Sequence, residues 1–89
     1  MKHLCRAIIW NACFLELSGD DVIDPDSAVK ALEDIASSLQ QATDEEKAAF
    51  IDACRDEAYA LRSDSNQSKT ADFIASLPGA VGLIEETEE

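Results

Sequence analysis

The first 17 residues include a stretch that is apolar on nearly every side of a helix, and this feature constrains the fold most. Between His3 and Leu17, Leu4, Ile8 and Leu15 fall on one face at helical spacing. The other faces are covered by further apolar side chains, namely Ile9, Trp10, Cys13, Phe14 and Leu17. A helix that is apolar all round has to be surrounded. The pattern therefore predicts either the central helix of a bundle or a helix whose spare face is covered by a partner or a second copy.

Start signals for two more helices follow in the chain. Asp24 can cap free amides, and Pro25 suits the first helical position, which predicts a second helix over residues 25–41. Thr43 and Glu46 have the spacing of a capping box, which predicts a third helix over residues 44–62. Apolar residues at helical spacing in both segments predict faces that pack into one core.

The ends of the remaining elements are marked by glycine, proline and serine. Ser18 and Gly19 are expected to end the first helix, with the glycine in the left-handed conformation. Ser68 is the expected cap of a short fourth helix over residues 69–77, which Pro78 should stop because a residue before proline avoids helical angles. The polar stretch 63–67 is predicted to be a loop.

Two apolar stretches outside the helices also need a place. In the connector after the first helix, Val22 and Ile23 are expected to pack on the core, as is Val29 at the start of the second helix. The strip at residues 80–84 either lies over the bundle or waits for a partner.

These elements predict an all-α fold, a small four-helix bundle with a short fourth helix. No stretch alternates with a period of two, so no sheet is expected. Residues 1–84 are predicted to form a single helical domain and residues 85–89 a disordered acidic tail. A chain of 89 residues buries roughly 60–65% of its unfolded surface, enough for one modest core.

Cysteine content and the N-terminal sequence bear on the compartment. The three cysteines, Cys5, Cys13 and Cys54, are an odd number without a C-x-x-C pair, which favours free, buried thiols in a reducing compartment. Arg6 and Glu16 interrupt the N-terminal apolar run, which argues against a signal peptide or a membrane span. A cytoplasmic protein with an intact N-terminus is predicted.

The charge is strongly negative and unevenly distributed. The chain has 19 acidic and seven basic residues, a formal net charge of −12. Residues 1–17 carry +1 and residues 18–89 carry −13. Such a surface repels phosphates, so neither nucleic acid nor an anionic membrane is an expected partner. It favours fast, salt-sensitive association with a basic protein surface, although acidity also serves solubility.

Residues that could support chemistry are few and poorly spaced. His3 and the three cysteines include no close pair that could anchor a zinc site. The acidic connector formed by Asp20, Asp21, Asp24 and Asp26 lacks the glycine and the closing glutamate of a calcium loop. No Ser–His–Asp, Cys–His or phosphate-loop pattern is present. The sequence predicts no cofactor, no metal and no enzymatic activity.

The predicted contact surface consists of acidic residues on the second and third helices together with one tyrosine. Asp52 and Asp56 lie one turn apart with like charge, a small cost that suggests this face has a use. The predicted partner-binding residues are Glu33, Asp34, Asp44, Glu45, Asp52, Asp56, Glu57 and Tyr59. Trp10 is either a second aromatic anchor or a core residue.

Size, acidity and the lack of catalytic groups favour a protein-binding module. The leading hypothesis is an immunity-type inhibitor that neutralises a cognate bacterial toxin by occluding its active or substrate-binding surface. A nuclease, whose site is built to hold phosphates, is the natural type of target. One alternative is a homodimeric structural or adaptor protein that pairs through residues 3–17. Another is a regulator that mimics nucleic acid through spaced carboxylates.

Overall fold

Four α-helices and one 3₁₀ turn make up the computed structural model, which describes residues 2–83. The α-helices are α1 (Lys2–Leu17), α2 (Pro25–Gln40), α3 (Asp44–Leu61) and α4 (Ser68–Ala80), and the 3₁₀ turn is Ser65–Gln67. The described residues contain no β-strand. The predicted all-α bundle is confirmed, while Ile84 and the predicted tail at 85–89 lie outside the described residues.

Helix α1 is the central element of the bundle. It packs against each of the other three helices, and α3 and α4 pack against each other. Ile9 of α1, Phe50 of α3 and Ile74 of α4 are fully buried where these elements meet. Both alternatives for the apolar helix therefore hold in part, because α1 contacts all three other helices yet keeps an exposed outward side.

The predicted starts of α2 and α3 are confirmed in their hydrogen bonds. The carboxylate of Asp24 accepts a hydrogen bond from the backbone amide of Ser27 at 3.0 Å. The amide of Glu46 donates to the Thr43 hydroxyl at 3.0 Å, and the amide of Thr43 donates to Glu46 Oε1 at 2.9 Å. Both caps satisfy amides that have no partner within the helix.

The start of α4 differs from the prediction. Asp64 accepts a hydrogen bond from the amide of Asn66 at 3.0 Å and so begins the 3₁₀ turn, which continues directly into α4. Gln67 occupies the cap position of α4 and forms no side-chain cap bond, so Ser68 is the first helical residue and not the cap. The predicted loop at residues 63–67 is therefore partly helical. The Asp64 side chain forms an Asx turn, which mimics a backbone turn and can begin a helical one.

Pro78 does not stop α4, contrary to the prediction, and the helix continues to Ala80. Pro78 is buried and lies in the last turn, where only one intrahelical bond is lost, and packing of this turn on the core offsets that loss. The end is a Schellman motif, in which the Leu83 amide donates to the Pro78 carbonyl at 2.9 Å. The Gly82 amide donates to the Gly79 carbonyl at 3.1 Å, and Gly82 has a φ of +84°.

This end places the apolar strip on the bundle as far as it is described. Val81 is buried and Leu83 is packed against the core, so both fold back on the helices. Gln40 Nε2 donates a hydrogen bond to the Val81 carbonyl at 2.9 Å, which ties the strip to the end of α2. The strip therefore lies over the bundle up to Leu83.

Three predictions near the first connector are wrong. Gly19 does not take a left-handed conformation, because Gly82 is the one described residue with a positive φ. The Gly19 carbonyl instead accepts hydrogen bonds from the amides of Val22 and Ile23 and closes a turn. Val22 and Val29 are exposed, whereas Ile23 is half-buried. Val29 follows the buried Ala28 by one position, and about 100° of helix rotation turns it away from the core.

Candidate protein-binding surfaces

The predicted contact residues are divided between two places on the surface. Glu33 and Asp34 are exposed on α2, and Asp44 and Glu45 are exposed in the first turn of α3. Farther along α3, Asp52, Asp56 and Tyr59 follow Glu45 at intervals of seven, eleven and fourteen residues, which places all four on one side of the helix. We call this row, Glu45, Asp52, Asp56 and Tyr59, the α3 stripe.

Glu57 is not part of the α3 stripe. Its Oε2 lies 3.0 Å from the Nε of Arg6, and its side chain is only 17% exposed. The ion pair links α3 to α1 across the bundle. Since a half-buried pair of this kind holds two helices together, Glu57 serves the fold more directly than it serves a surface.

The other acidic residues on α3 differ in how they are paired. Asp52 Oδ1 lies 3.1 Å from Arg55 Nη1 one turn away, which neutralises part of its charge. Asp56 is exposed and forms no ion pair within residues 2–83. Asp56 lies one turn before Tyr59 on the α3 stripe. Its negative charge is not offset by an ion pair with any described residue.

Tyr59 is the most exposed large side chain with apolar character in the described structure. It is 82% exposed and stands at the edge of a shallow groove between α3 and α4. Arg55 and Arg62 also line that groove, and each is paired with an aspartate, Asp52 and Asp72 respectively. An exposed tyrosine among paired charges resembles the amphipathic anchors common in protein interfaces.

A second surface is the outward side of α1, which is apolar. Phe14 is 54% exposed, and Trp10 and Leu17, which share its face of the helix, are also accessible. Trp10 is thus neither a fully buried core residue nor a free anchor. The bundle covers only one side of α1, and the spare face predicted from the sequence exists.

Beside this face lies an apolar groove between α1 and α2, which the sequence did not reveal. Its volume is about 730 Å³. Cys5 and Ile8 of α1, Ile35 and Leu39 of α2, and Phe50 of α3 contribute apolar surface to its walls. We call it the α1–α2 groove. It arises because α2 packs mainly on α1 and leaves a gap toward the start of α3, an arrangement that no local pattern encodes.

The charged side chains that line this groove are both acidic. Asp34 stands on α2, and Glu46 stands in the first turn of α3, where it also completes the capping box. Asn11 and Ser38 add neutral polar groups. The groove thus combines apolar walls with a negative rim.

The buried thiols lack the properties of reactive groups. Cys5, Cys13 and Cys54 are free and buried, as predicted. Burial, and to a smaller extent the neighbouring Cys5, Cys13 and Glu57, raises the pKa of Cys54 to about 12. Burial also raises the pKa values of Cys5 and Cys13. All three are therefore neutral near pH 7, the form that is a poor nucleophile and a poor metal ligand.

Metal-binding and membrane-spanning features were also sought in the described part of the chain. Residues 2–83 contain no group of three or more His, Cys, Asp or Glu side chains arranged to hold a metal ion. None of the described helices has both the length and the apolar character needed to cross a bilayer.

The fold and the surfaces define the protein as a small all-α bundle with an acidic stripe and an apolar groove. No protein-family model, no curated protein and no solved structure matches this chain. Its function is therefore argued from its own residues.

Proposed function

We propose that this protein is a small acidic protein-binding module, an immunity-type inhibitor that neutralises a cognate bacterial toxin by occluding its active or substrate-binding surface. The observation that carries the proposal is the α3 stripe. Tyr59, 82% exposed, stands beside the unpaired carboxylate of Asp56. Aromatic residues of this kind dominate the energy of many interfaces, and surrounding charges set the rate of encounter.

Occlusion is the mechanism that suits these groups. A toxin that acts on nucleic acid holds phosphates with Lys and Arg, and that surface attracts carboxylates just as strongly. Tyr59 would fill a recess on the partner, while Asp56 and Glu45 pair with cations around it. The inhibitor then needs no chemistry of its own, because it excludes the substrate by covering the site.

The test is affinity capture of the tagged protein from its native cell at moderate salt, followed by intact-mass analysis and an activity assay of the captured partner. Recovery of one stoichiometric partner with a basic domain, whose activity falls on binding, is the expected result. Asp56→Lys and Tyr59→Ala should each weaken that complex by about tenfold or more. Asp20→Lys, which makes the same charge change in an exposed connector, is the control and should have little effect.

Glu57 is left out of this test deliberately. Reversal of its charge would place a lysine beside Arg6 and disturb the bundle as well as the surface. Binding that is unchanged in both Asp56→Lys and Tyr59→Ala would exclude the α3 stripe as the contact surface.

A second candidate function is favoured by the outward face of α1. Trp10, Phe14 and Leu17, spaced to share one face of α1, form an exposed apolar patch, which in soluble proteins often marks an interface. A homodimeric adaptor would bury this patch against a second copy. Sedimentation equilibrium tests it: a dimer that Phe14→Gln converts to a folded monomer supports the adaptor, and a wild-type monomer at all concentrations excludes it.

A further inference from the structure

The α1–α2 groove has the dimensions and the walls of a site for a helix. Its two sides are helices of 16 residues each, about 24 Å long, so an occupant can lie along several turns. Leu4 and Ile8 on one side and Ile35 on the other present apolar surface at helical intervals. A groove of this form is what an amphipathic helix fills in the helix-in-groove mode of recognition.

The charge of the groove selects among possible occupants. Its charged lining residues, Asp34 and Glu46, are both acidic, and Glu33, Asp44 and Glu45 extend the negative surface nearby. Lys30 lies 3.9 Å from Asp34 on the same helix and is highly exposed, so it offsets this charge only weakly. An occupant with cations beside its apolar face gains from this rim, and an anionic occupant is repelled.

A second copy of the chain is a poor occupant on the same grounds. Each copy carries a net charge of −12, so two copies repel each other when they meet. Of the two basic residues on α1, Arg6 is already paired with Glu57 within the bundle. Charge complementarity therefore favours a different protein with a basic segment.

We infer that the α1–α2 groove is the docking site for a basic amphipathic helix of the partner protein, with apolar side chains in the groove and Lys or Arg facing Asp34 and Glu46. The inference rests on the proposed function, since it names the part of the partner that is recognised. It adds a second contact surface to the α3 stripe and specifies its chemistry.

The experiment uses the full chain and synthetic peptides of about 18 residues, which form roughly five helical turns. The probe peptide has leucines along one face and lysines elsewhere. A second peptide replaces every lysine by glutamate, and a third has the lysines and leucines in scrambled order. Fluorescence anisotropy of labelled peptides at low and moderate salt gives the dissociation constants. We expect the probe peptide to bind at least about tenfold more tightly than the other two.

Two matched pairs of variants locate the site. Asp34→Lys changes a lining residue, and Asp20→Lys makes the same charge change in the exposed connector, which does not line the groove. Leu4→Gln removes an apolar lining residue, and Val29→Gln removes an exposed apolar residue outside the groove. We expect about a tenfold loss of binding for the first member of each pair and less than about twofold for its control. Circular dichroism is the check that all four variants fold.

Three results would overturn the inference. Equal losses in Asp34→Lys and Asp20→Lys, with no effect of Leu4→Gln, would mean general attraction to an acidic surface. Binding of the scrambled peptide as tightly as the probe would exclude a helical occupant. A wild-type dimer that Leu4→Gln dissociates would mean that a second copy covers the groove.

Failure of this inference is distinguishable from failure of the proposed function. If the captured partner is inhibited, and its binding depends on Asp56 and Tyr59 but not on Asp34 and Leu4, the inhibitor stands and the groove is not its docking site. If the peptide binds in the groove but no inhibited partner is captured, the recognition chemistry stands and the inhibitor function fails.

Discussion

At the scale of single residues, the thiol of Cys54 shows how the interior changes the chemistry of a side chain. It is 1% exposed on α3 and lies among apolar groups. Loss of its proton would leave a charge where water cannot solvate it, which is why its pKa rises to about 12 from an ordinary value near 9. The thiol acts as a small apolar side chain.

This shift predicts an alkaline weakness. Below pH 9 the thiol is protonated in both the folded and the unfolded state, so its contribution to the free energy of unfolding does not change with pH there. Between about pH 9 and 12 the unfolded state loses the proton and the folded state keeps it, so the free energy of unfolding falls as pH rises. Urea denaturation at pH 8 and pH 10.5 should show a larger loss for the wild type than for Cys54→Ala.

The comparison with the alanine variant is internally controlled, since every other titratable group is the same in both proteins. Cys54→Ala should cost about 1 kcal/mol at pH 8 because a buried sulfur is lost. Equal pH dependence in the two proteins would mean that Cys54 does not titrate as a buried thiol.

Gly82 is the residue whose backbone conformation most restricts substitution. With a φ of +84°, it takes a left-handed form that costs other residues roughly 1–2 kcal/mol. A Cβ there would also lie 2.8 Å from Gln40 Nε2, which donates to the Val81 carbonyl. Gly82→Ala should therefore lower the free energy of unfolding by about 2 kcal/mol in urea denaturation.

Gly19→Ala is the comparison for this substitution. Gly19 does not have a positive φ, and its Cβ would meet only the flexible end of Asp21 at 2.7 Å. The loss of stability should stay below about 1 kcal/mol, and the lower entropy of the unfolded chain could even offset it. Equal losses at the two glycines would show that the Schellman end of α4 contributes little.

At the scale of elements, the two helix starts that carry side-chain caps differ from the start of α4. Thr43 and Glu46 cap α3 with two reciprocal hydrogen bonds, and Asp24 caps α2. Helix α4 has no such cap, and the 3₁₀ turn that Asp64 begins runs directly into it. The same residue type in the sequence, a serine or threonine before an apolar run, therefore has different roles in α3 and α4.

This difference predicts unequal effects of two similar substitutions. Thr43→Ala should lower the free energy of unfolding by about 1 kcal/mol, the usual value of an N-cap. Ser68→Ala should change it by less than about 0.5 kcal/mol, since Ser68 makes no cap bond and alanine favours the helix. Both are measured by urea denaturation followed at the helical circular-dichroism band. A larger loss at Ser68 would contradict the assignment of the α4 start.

Helix boundaries could be predicted from the sequence where a cap or a proline marks the start of the helix. They could not be predicted where burial of the last turn determines where the helix ends. Pro25 at the first position of α2 follows the local rule. Pro78 breaks it, because the turn that contains it packs on the core and a glycine two residues past the helix closes the end. Local rules for proline assume an exposed helix, and the last turn of α4 is buried.

At the scale of the whole molecule, the chain carries a net charge of −12, and the part that the structure describes is about 37 Å across in its longest dimension. At 0.01 M salt the Debye length is about 30 Å, so acidic groups across the whole surface repel one another. The four ion pairs found within residues 2–83 offset only part of this. Self-repulsion favours expansion of the chain and opposes the compact state.

We therefore expect the melting temperature to rise with salt. Between 0.01 M and 0.5 M NaCl the increase should be roughly 4–8 °C, corresponding to about 1 kcal/mol of relieved repulsion. KCl at the same ionic strength should give the same increase if screening is the cause. A fall in melting temperature would mean that the ion pairs, Arg6–Glu57 above all, outweigh the repulsion.

The contact surface was only partly accessible from the sequence. That Asp52, Asp56 and Tyr59 share a side of α3 follows from helical spacing, and the structure has them there. That Glu57 turns inward to Arg6 depends on where α1 lies relative to α3. One position separates Asp56 from Glu57, yet about 100° of helix rotation places one outside and the other against a neighbouring helix.

The sequence by itself determined the helical class of this protein, the capped starts of α2 and α3, and the burial of its cysteines. These depend on periodicity and capping, which act over a few neighbouring residues. Only the tertiary structure decided that α1 lies at the centre with one side uncovered, and that a groove opens beside it. The angle and depth at which helices pack depend on contacts between residues far apart in the chain, so no local pattern specifies them.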